Sequence, residues 1–220
     1  MNNGEVFKNI YENRLWSGAN LNIPLSGPGS LPDRAIPYVR FTKEVISNLQ
    51  ITSVLDVGHG DWEMWESYKF EDVRYVGVDV VEGLSNKLEK IYGSATRTFF
   101  PIDITNTLPP DADLLICKDT LMHLPNRDII YFLRNLKKFK YLIICNDVNF
   151  VSSKLNNYDI KSGEYRGIDL ESLPYARNLR RYRLIEKFDY DDRDKSNGYL
   201  KRVYLYKKRL FRSPISYFVN

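Results

Sequence analysis

An apolar run that breaks on two glycines, Ile51-Thr-Ser-Val-Leu-Asp-Val-Gly-His-Gly-Asp61, is followed about twenty residues later by a second apolar run that ends on a carboxylate, Tyr75-Val-Gly-Val-Asp79. A strand, a tight turn and a second strand closed by an acid are the parts of a nucleoside-binding α/β unit. Gly58 and Gly60 allow the backbone to turn sharply and to approach a ligand, and Asp79 stands where a ribose diol is held.

Two details choose among nucleosides. A dinucleotide fold wants a third glycine three residues after the second, where a helix N-terminus meets a pyrophosphate. Position 63 is Glu instead, and Asp61 adds another negative charge, so a diphosphate is disfavoured. Asp56, at the end of the first strand, suits a ligand that carries an ammonium group. S-adenosylmethionine has an amino-acid tail, a sulfonium and no phosphate. The Leu55-Asp-Val-Gly-His-Gly60 segment resembles the glycine motif of class I S-adenosylmethionine-dependent methyltransferases.

The rest of the chain alternates strand and helix patterns. Apolar residues at helical spacing run over 6–16, a Ser-Gly-Pro-Gly-Ser loop occupies 26–30, and a helix is expected over 35–49. Strands follow at 53–57, 74–80, 98–102, 114–117 and 141–145, with helices within 62–69, over 83–92 and over 126–137, the last capped by Asn126. A polar, turn-rich stretch from 150 to 180 reads as a lid or substrate loop, and 182–189 with 199–207 as a terminal hairpin linked through 191–198. The expected fold is a Rossmann-like, doubly wound, mostly parallel seven-stranded sheet with a C-terminal antiparallel hairpin. It forms one methyltransferase domain over 1–220: a helical lid region (1–49), a cofactor-binding core (50–148), and a substrate loop with the hairpin (149–220). Asp56, Asp79, Asp103, Asp119 and Asp147 each follow or end a strand, which would line one sheet edge with five carboxylates.

Hydrophobic content of 43% and charged content of 27% belong to a globular protein, and no apolar run approaches the roughly 20 residues that span a bilayer. The N-terminus lacks a basic segment followed by an apolar core, and Cys117 and Cys145 sit inside apolar strands as buried thiols. A cytoplasmic protein is expected. The net charge of +4 is concentrated late, at Arg177, Arg180, Arg181, Arg183, Lys201, Arg202, Lys207, Lys208, Arg209 and Arg212, as a solvated face or an anion-attracting one.

A narrower resemblance rests on Phe7-Lys-Asn-Ile-Tyr11, Ser26-Gly-Pro-Gly-Ser30, Lys118-Asp-Thr-Leu-Met-His-Leu-Pro125, Asn146-Asp147 and Gly163-Glu-Tyr-Arg-Gly-Ile-Asp-Leu170. These segments look like small sugar and surface-glycan methyltransferases, some of which stand alone while others are fused to glycosyltransferases. The resemblance implies that Asp79 holds the ribose hydroxyls, that Asp103 and Ile104 meet the adenine, that Gly58 and Gly60 pass under the methionine portion while Asp56 helps its ammonium, and that Val80 is a further cofactor contact. Lys118 and Asp119 complete that set. His59 departs from the small residue common at its position, whose side chain need not face the ligand.

Methyl transfer from a sulfonium requires alignment and exclusion of water, and a hydroxyl acceptor also benefits from a base. His123 is the candidate base, with a substrate-orienting role or a structural cap before Pro125 as alternatives. Asp119, four residues earlier, would orient His123 or touch the substrate if the segment forms a helical turn. Asp119, Asn146 and Asp147 are a candidate Mg²⁺ site, although Asp147 equally suits a sugar hydroxyl. Tyr165, Arg166 and Asp169 are candidate substrate contacts, with an internal Arg166–Asp169 pair as the alternative, and Trp16, Trp62, Trp65, Tyr158 and Tyr175 offer stacking surfaces or core. The expected acceptor is a hydroxyl of a sugar or glycan, with glycosyltransferases of the same pathway as partners. No Asn-Pro-Pro-Tyr-like segment follows the fourth strand, which counts against a nucleic-acid base as acceptor. RNA, protein or small-metabolite methylation, and a non-catalytic cofactor-binding scaffold, are the alternatives.

Overall fold

The computed structural model of the chain describes residues 2–192 and 198–209, so Arg212 and most of the expected hairpin link lie outside the described residues. Numbered in chain order, the helices are α1 (Asn3–Glu12), α2 (Pro32–Asn48), α3 (Glu82–Tyr92) and α4 (Asn126–Arg134). The strands are β1 (Ser53–Val57), β2 (Arg74–Asp79), β3 (Arg97–Pro101), β4 (Leu114–Lys118), β5 (Tyr141–Asn149), β6 (Tyr182–Tyr190) and β7 (Tyr199–Lys208). They form one sheet in the order β3-β2-β1-β4-β5-β7-β6. The first five strands run parallel, β7 is antiparallel to β5, and β6 is antiparallel to β7. The expected architecture is therefore the observed one.

β1 and β4 are buried at every position, as central parallel strands covered on both faces must be. Alternation sorts their side chains. Leu55, Val57, Leu115 and Cys117 face the layer that contains α1 and α4, while Val54, Leu114 and Ile116 face α2. Cys117 and Cys145 are buried free thiols belonging to opposite layers. None of the described helices is long and apolar enough to cross a membrane.

Several boundaries differ from expectation for identifiable reasons. α2 starts three residues earlier, because Pro32 sits at its first turn, where a missing N–H costs nothing. The segment 62–69 forms only a 3₁₀ turn at Glu63–Trp65, entered by Trp62 in the left-handed region with φ 66°. Trp62 and Trp65 are both buried, so packing replaces helical bonding there and neither ring is a stacking platform for substrate. α4 ends at Arg134 and has Pro125, not Asn126, at its cap. The Asn126 amide oxygen is drawn away by Arg166 Nη2 (3.0 Å) and Tyr175 OH (2.5 Å). β5 continues to Asn149 because β7 pairs with it beyond the reach of β4.

The stretch from 150 to 180 is not a loose cover. It has one 3₁₀ turn and a parallel bridge between Asn156 and Gly167, and it is nailed down by Arg166, Ile168, Leu170 and Tyr175, all buried.

Candidate active site

The sheet order reverses between β1 and β4, since β1 leads outward to β2 and β3 and the chain then returns to β4 on the other side. Such a switch point leaves a crevice at the carboxyl ends of the strands. A cavity lies there, of about 770 Å³ counting the part open to solvent. It is lined from the glycine turn (Gly58, His59, Gly60), the end of β2 (Asp79, Val80), the segment after β3 (Ile102, Asp103, Ile104, Thr105) and the end of β4 (Lys118, Asp119, Thr120, His123). The chain's first thirty residues cover it with Asn3, Phe7, Tyr11, Trp16, Ser26 and Ser30.

The two glycines are required by conformation and by crowding. Gly58 has φ 72°, and a Cβ there would lie 2.1 Å from Thr120 Oγ1; Gly60 has φ 58°, and its Cβ would lie 2.2 Å from Ser26 Oγ. The close approach is thus to the protein's own side chains as well as to the cavity. Asp79 fastens the turn: Oδ2 accepts from the Gly60 amide at 3.1 Å and Oδ1 from the Val81 amide at 2.9 Å. His59 is turned inward, with Nε2 3.0 Å from Ser85 Oγ and Nδ1 2.8 Å from the Gly60 carbonyl, and burial holds its pKa below the usual histidine value. Asp103 closes a local turn by accepting from the Thr105 amide (2.9 Å) and hydroxyl (2.6 Å) while still lining the cavity.

The expected row of five carboxylates is corrected to three. Asp79, Asp103 and Asp119 line the cavity; Asp56 and Asp147 do not. Asp56 points from β1 into the α2 side, where Oδ2 accepts from Tyr75 OH (2.7 Å) and Trp65 Nε1 (3.0 Å). Burial pushes its carboxyl up to about 7, against the pull of those two donors. It is therefore a strut beneath the glycine turn and not the expected ammonium ligand.

Asp61 has a different task from repelling phosphate. It accepts from the Ser26 amide through Oδ2 while its own amide donates to Ser26 Oγ, both at 2.9 Å, and Tyr11 OH lies 3.2 Å from the same hydroxyl. This ties α1 and the 26–30 loop to the glycine turn.

A buried charge cluster forms the cavity's inner wall. Asp119, in the left-handed region at φ 56°, accepts from Lys118 Nζ at 2.5 Å and from Lys201 Nζ at 2.7 Å. Lys201, on β7 and fully buried, also lies 2.8 Å from Asp147 Oδ1. Burial alone would raise the Asp119 carboxyl, but Lys118 and Lys201 hold it well below the usual carboxylate range. For Lys201, burial opposes the charge and the Asp119 and Asp147 carboxylates outweigh it, so its pKa is raised. Lys118 also donates to the Gly29 carbonyl at 2.9 Å, fastening the 26–30 loop over the cluster.

This arrangement overturns the Mg²⁺ reading. The Lys201 ammonium fills the space between Asp119 and Asp147 and supplies the positive charge there. Asn146 and Asp147 are adjacent on β5 and project to opposite faces, so they cannot converge on one ion with Asp119. Among the described residues, no group of three His, Cys, Asp or Glu side chains is arranged to hold a metal.

His123 ends the 3₁₀ turn Leu121–His123 that follows β4. Its Nδ1 lies 2.9 Å from the Glu164 carbonyl, which can only accept, so Nδ1 carries the proton and Nε2 is an acceptor. Its ring packs on Trp16 with centroids 4.5 Å apart. Burial pushes its pKa down to about 4, although the Glu164 carbonyl and Asp119 favour the cation. Asp119 makes no bond to it; the carbonyl and the indole orient the imidazole, not the acid four residues earlier.

The expected substrate contacts divide. Tyr165 OH donates to Asp147 Oδ2 at 2.6 Å and its ring lies 6.1 Å from His123, beside the cavity but not in its lining. Arg166 is fully buried and donates to the Leu121, Leu124 and Tyr158 carbonyls, so it is an internal strut and does not pair with Asp169. Asp169 accepts from Ser172 and Tyr204 away from the cavity. Lys201 was not expected here. It shares the inward face of β7 with Val203 and Leu205, so period-two alternation was the available signal.

Neither a known protein family nor a curated protein sequence matches this chain. Among solved structures, it is similar to the N-methyltransferase NodS from Bradyrhizobium japonicum WM9 bound to S-adenosyl-L-homocysteine, with a TM-score of 0.64 and 12% identity over 94% of this chain and 99% of that one. The [4+2]-cyclase SpnF gives a TM-score of 0.64 at 12% identity, over 94% and 96%. Magnesium protoporphyrin IX methyltransferase from Synechocystis PCC 6803, also with bound S-adenosyl-L-homocysteine, gives 0.59 at 13%, over 90% and 93%. The chain has the fold of class I S-adenosylmethionine-dependent methyltransferases. A cyclase shares that fold, so the reaction has to be argued from the site.

Proposed function

We propose that this protein is an S-adenosylmethionine-dependent methyltransferase that transfers the methyl group to a hydroxyl of a sugar or glycan. The observation that carries the reading is one cavity holding both the Gly58–Gly60 turn with Asp79 and, beside it, a neutral, aromatic-packed His123. The donor set fits the cofactor. Asp79 offers carboxylate oxygens to a ribose diol, Asp103 an acceptor and Val80, Ile102 and Ile104 apolar walls to an adenine, and Lys118, which a diphosphate would need, is engaged by Asp119 and the Gly29 carbonyl. The cofactor, when bound, supplies a methyl group already activated on a sulfonium.

The chain's own residues then have limited work. Tyr11, Trp16 and the 26–30 loop exclude water, and the bonds among Tyr11, Ser26, Asp61 and Lys118 keep them in place. His123 Nε2 accepts the hydroxyl proton. A base held near pKa 4 is weak against an alcohol, yet an oxygen that is gaining a methyl group becomes strongly acidic, and an imidazole that stays neutral at physiological pH is always ready to take that proton. Asp119, with both oxygens engaged by lysines, is an anchor and not a second base. An aromatic wall of Phe7, Tyr11 and Trp16 with the polar groups of Asn3, Ser26, Ser30 and Thr120 suits an acceptor that has both C–H faces and hydroxyls.

Incubation with methyl-labelled cofactor, a glycan panel, RNA and protein, with and without EDTA, tests this. Label in sugar-containing material, undiminished by EDTA, is expected. Label found only in nuclease- or protease-sensitive material refutes the acceptor class, and absence of S-adenosylhomocysteine binding refutes the whole reading.

A further inference from the structure

A second concavity lies at the opposite edge of the sheet. Arg134 ends α4, Lys137 follows in the turn before β5, and Arg177, Arg180 and Arg181 come from the segment that leads into β6. With Leu133, Asn178 and Tyr182 they line a groove of about 1130 Å³ counting the part open to solvent. Among the described residues no carboxylate lines it and none of its five cations has an ion-pair partner. Its charge exceeds the +4 of the whole chain, so the remainder of the molecule is close to neutral and the basic character is local.

The guanidiniums are partly preset. Arg134 Nε donates to Asn178 Oδ1 at 3.2 Å and Arg180 Nε to the Arg177 carbonyl at 3.0 Å, bonds that fix the stems and spend no Nη group. Four of the five cations are Arg, whose planar fork matches two oxygens of a phosphoryl group where Lys offers a point charge. We infer that this groove binds a compact soluble ligand with two adjacent phosphoryl groups, recognised through the diphosphate itself. A concave wall admits such a ligand while a flat bilayer would meet only its rim. Its one aromatic, Tyr182, is buried and offers no face to the bases of a single strand.

The groove is separate from the candidate active site. β5 begins at Tyr141 beside the groove and reaches the Lys201 cluster at Asp147, a distance of roughly 20 Å at about 3.3 Å per residue. The inference therefore stands independently of the methyltransferase reading.

Calorimetry of the full chain at low salt, with pyrophosphate and ADP as probes, tests it. Both are expected to bind, more weakly as salt rises, and Arg177→Gln/Arg181→Gln to weaken them by roughly tenfold or more. Those two side chains are exposed and make no described hydrogen bond, and an unchanged thermal unfolding midpoint serves as the folding control. Lys87→Gln/Lys90→Gln on α3 removes the same charge elsewhere and is expected to leave binding intact. An equal loss in that control overturns the inference, because the effect would then be diffuse charge. So does binding of RNA or of anionic phospholipid vesicles without binding of pyrophosphate.

Discussion

Replacing Lys201 with methionine removes a buried cation that touches both Asp119 and Asp147. Its Nζ lies 2.7 Å from the first and 2.8 Å from the second, with Lys201 and Asp147 almost wholly buried. Methionine keeps much of the stem's volume, so the change is mainly electrostatic. Breaking a buried pair by removing one partner costs about 3–5 kcal/mol, because a charge is left without compensation. For a chain of this length that is a fall in Tm of roughly 6–20 °C. The pH dependence follows from the sign of the shift. In the wild type Asp119 is held below its unfolded value, so its contribution is full above the ordinary carboxylate range and is lost only as pH falls through the depressed folded pKa. In Lys201→Met one of its two cations is gone, and burial and the Asp147 charge push the Asp119 carboxyl up. The penalty should then be largest near pH 8 and shrink towards pH 5, as protonation removes the repulsion. Denaturant unfolding at both pH values measures this. Adding Asp147→Asn should recover part of the loss, since the pair is then replaced by neutral groups. A penalty under about 1 kcal/mol, or one that does not vary with pH, would refute the argument that this cluster is a desolvated ion network.

Asp79→Ala should weaken S-adenosylhomocysteine binding by roughly 10- to 150-fold in calorimetry, the value of a charge-assisted contact, and a variant that binds normally removes Asp79 from the ribose site. His123→Ala should lower kcat by roughly 10²–10⁴ with little change in cofactor affinity. The wild-type rate should show no imidazole limb between pH 6 and 8, because burial holds His123 at about 4; a limb near 6.5 that vanishes in the variant would contradict that. Asp56 should contribute stability that is lost as pH rises from about 4 through about 7, because the unfolded carboxyl ionises at its ordinary value while the folded one resists up to about 7, whereas His59 and His123, which burial keeps neutral, contribute in the opposite sense. In Asp56→Asn, which keeps an oxygen for Tyr75 and Trp65, that part of the slope should disappear, and an unchanged slope assigns it elsewhere.

The sequence was most legible where local rules suffice. The strand bounds at Ser53–Val57 follow from an apolar run stopped by Gly58, and Gly58, Gly60 and Asp79 meet at one cavity because a βαβ unit admits few other arrangements. The helix expected over 62–69 failed because Trp62 and Trp65 gain more from burial in the α2 layer than a short helix gains from its own bonds. Asn126 looked like a cap, and lost that task to Arg166, forty residues away.

By itself, then, the sequence determined the fold class, the glycine turn, the acid that closes β2 and the place of His123 after β4. All of these are contacts within a few residues or alternations along one strand. Which carboxylates face the cavity was decided only by the tertiary structure. Asp56 and Asp147 lie near the carboxyl ends of their strands, but the pleat and the packing of α2 send Asp56 beneath the turn, and β7 brings Lys201 to Asp147 from 54 residues further along the chain. A charge of that kind is recruited by pairing between distant strands, and no local pattern of residues encodes its partner.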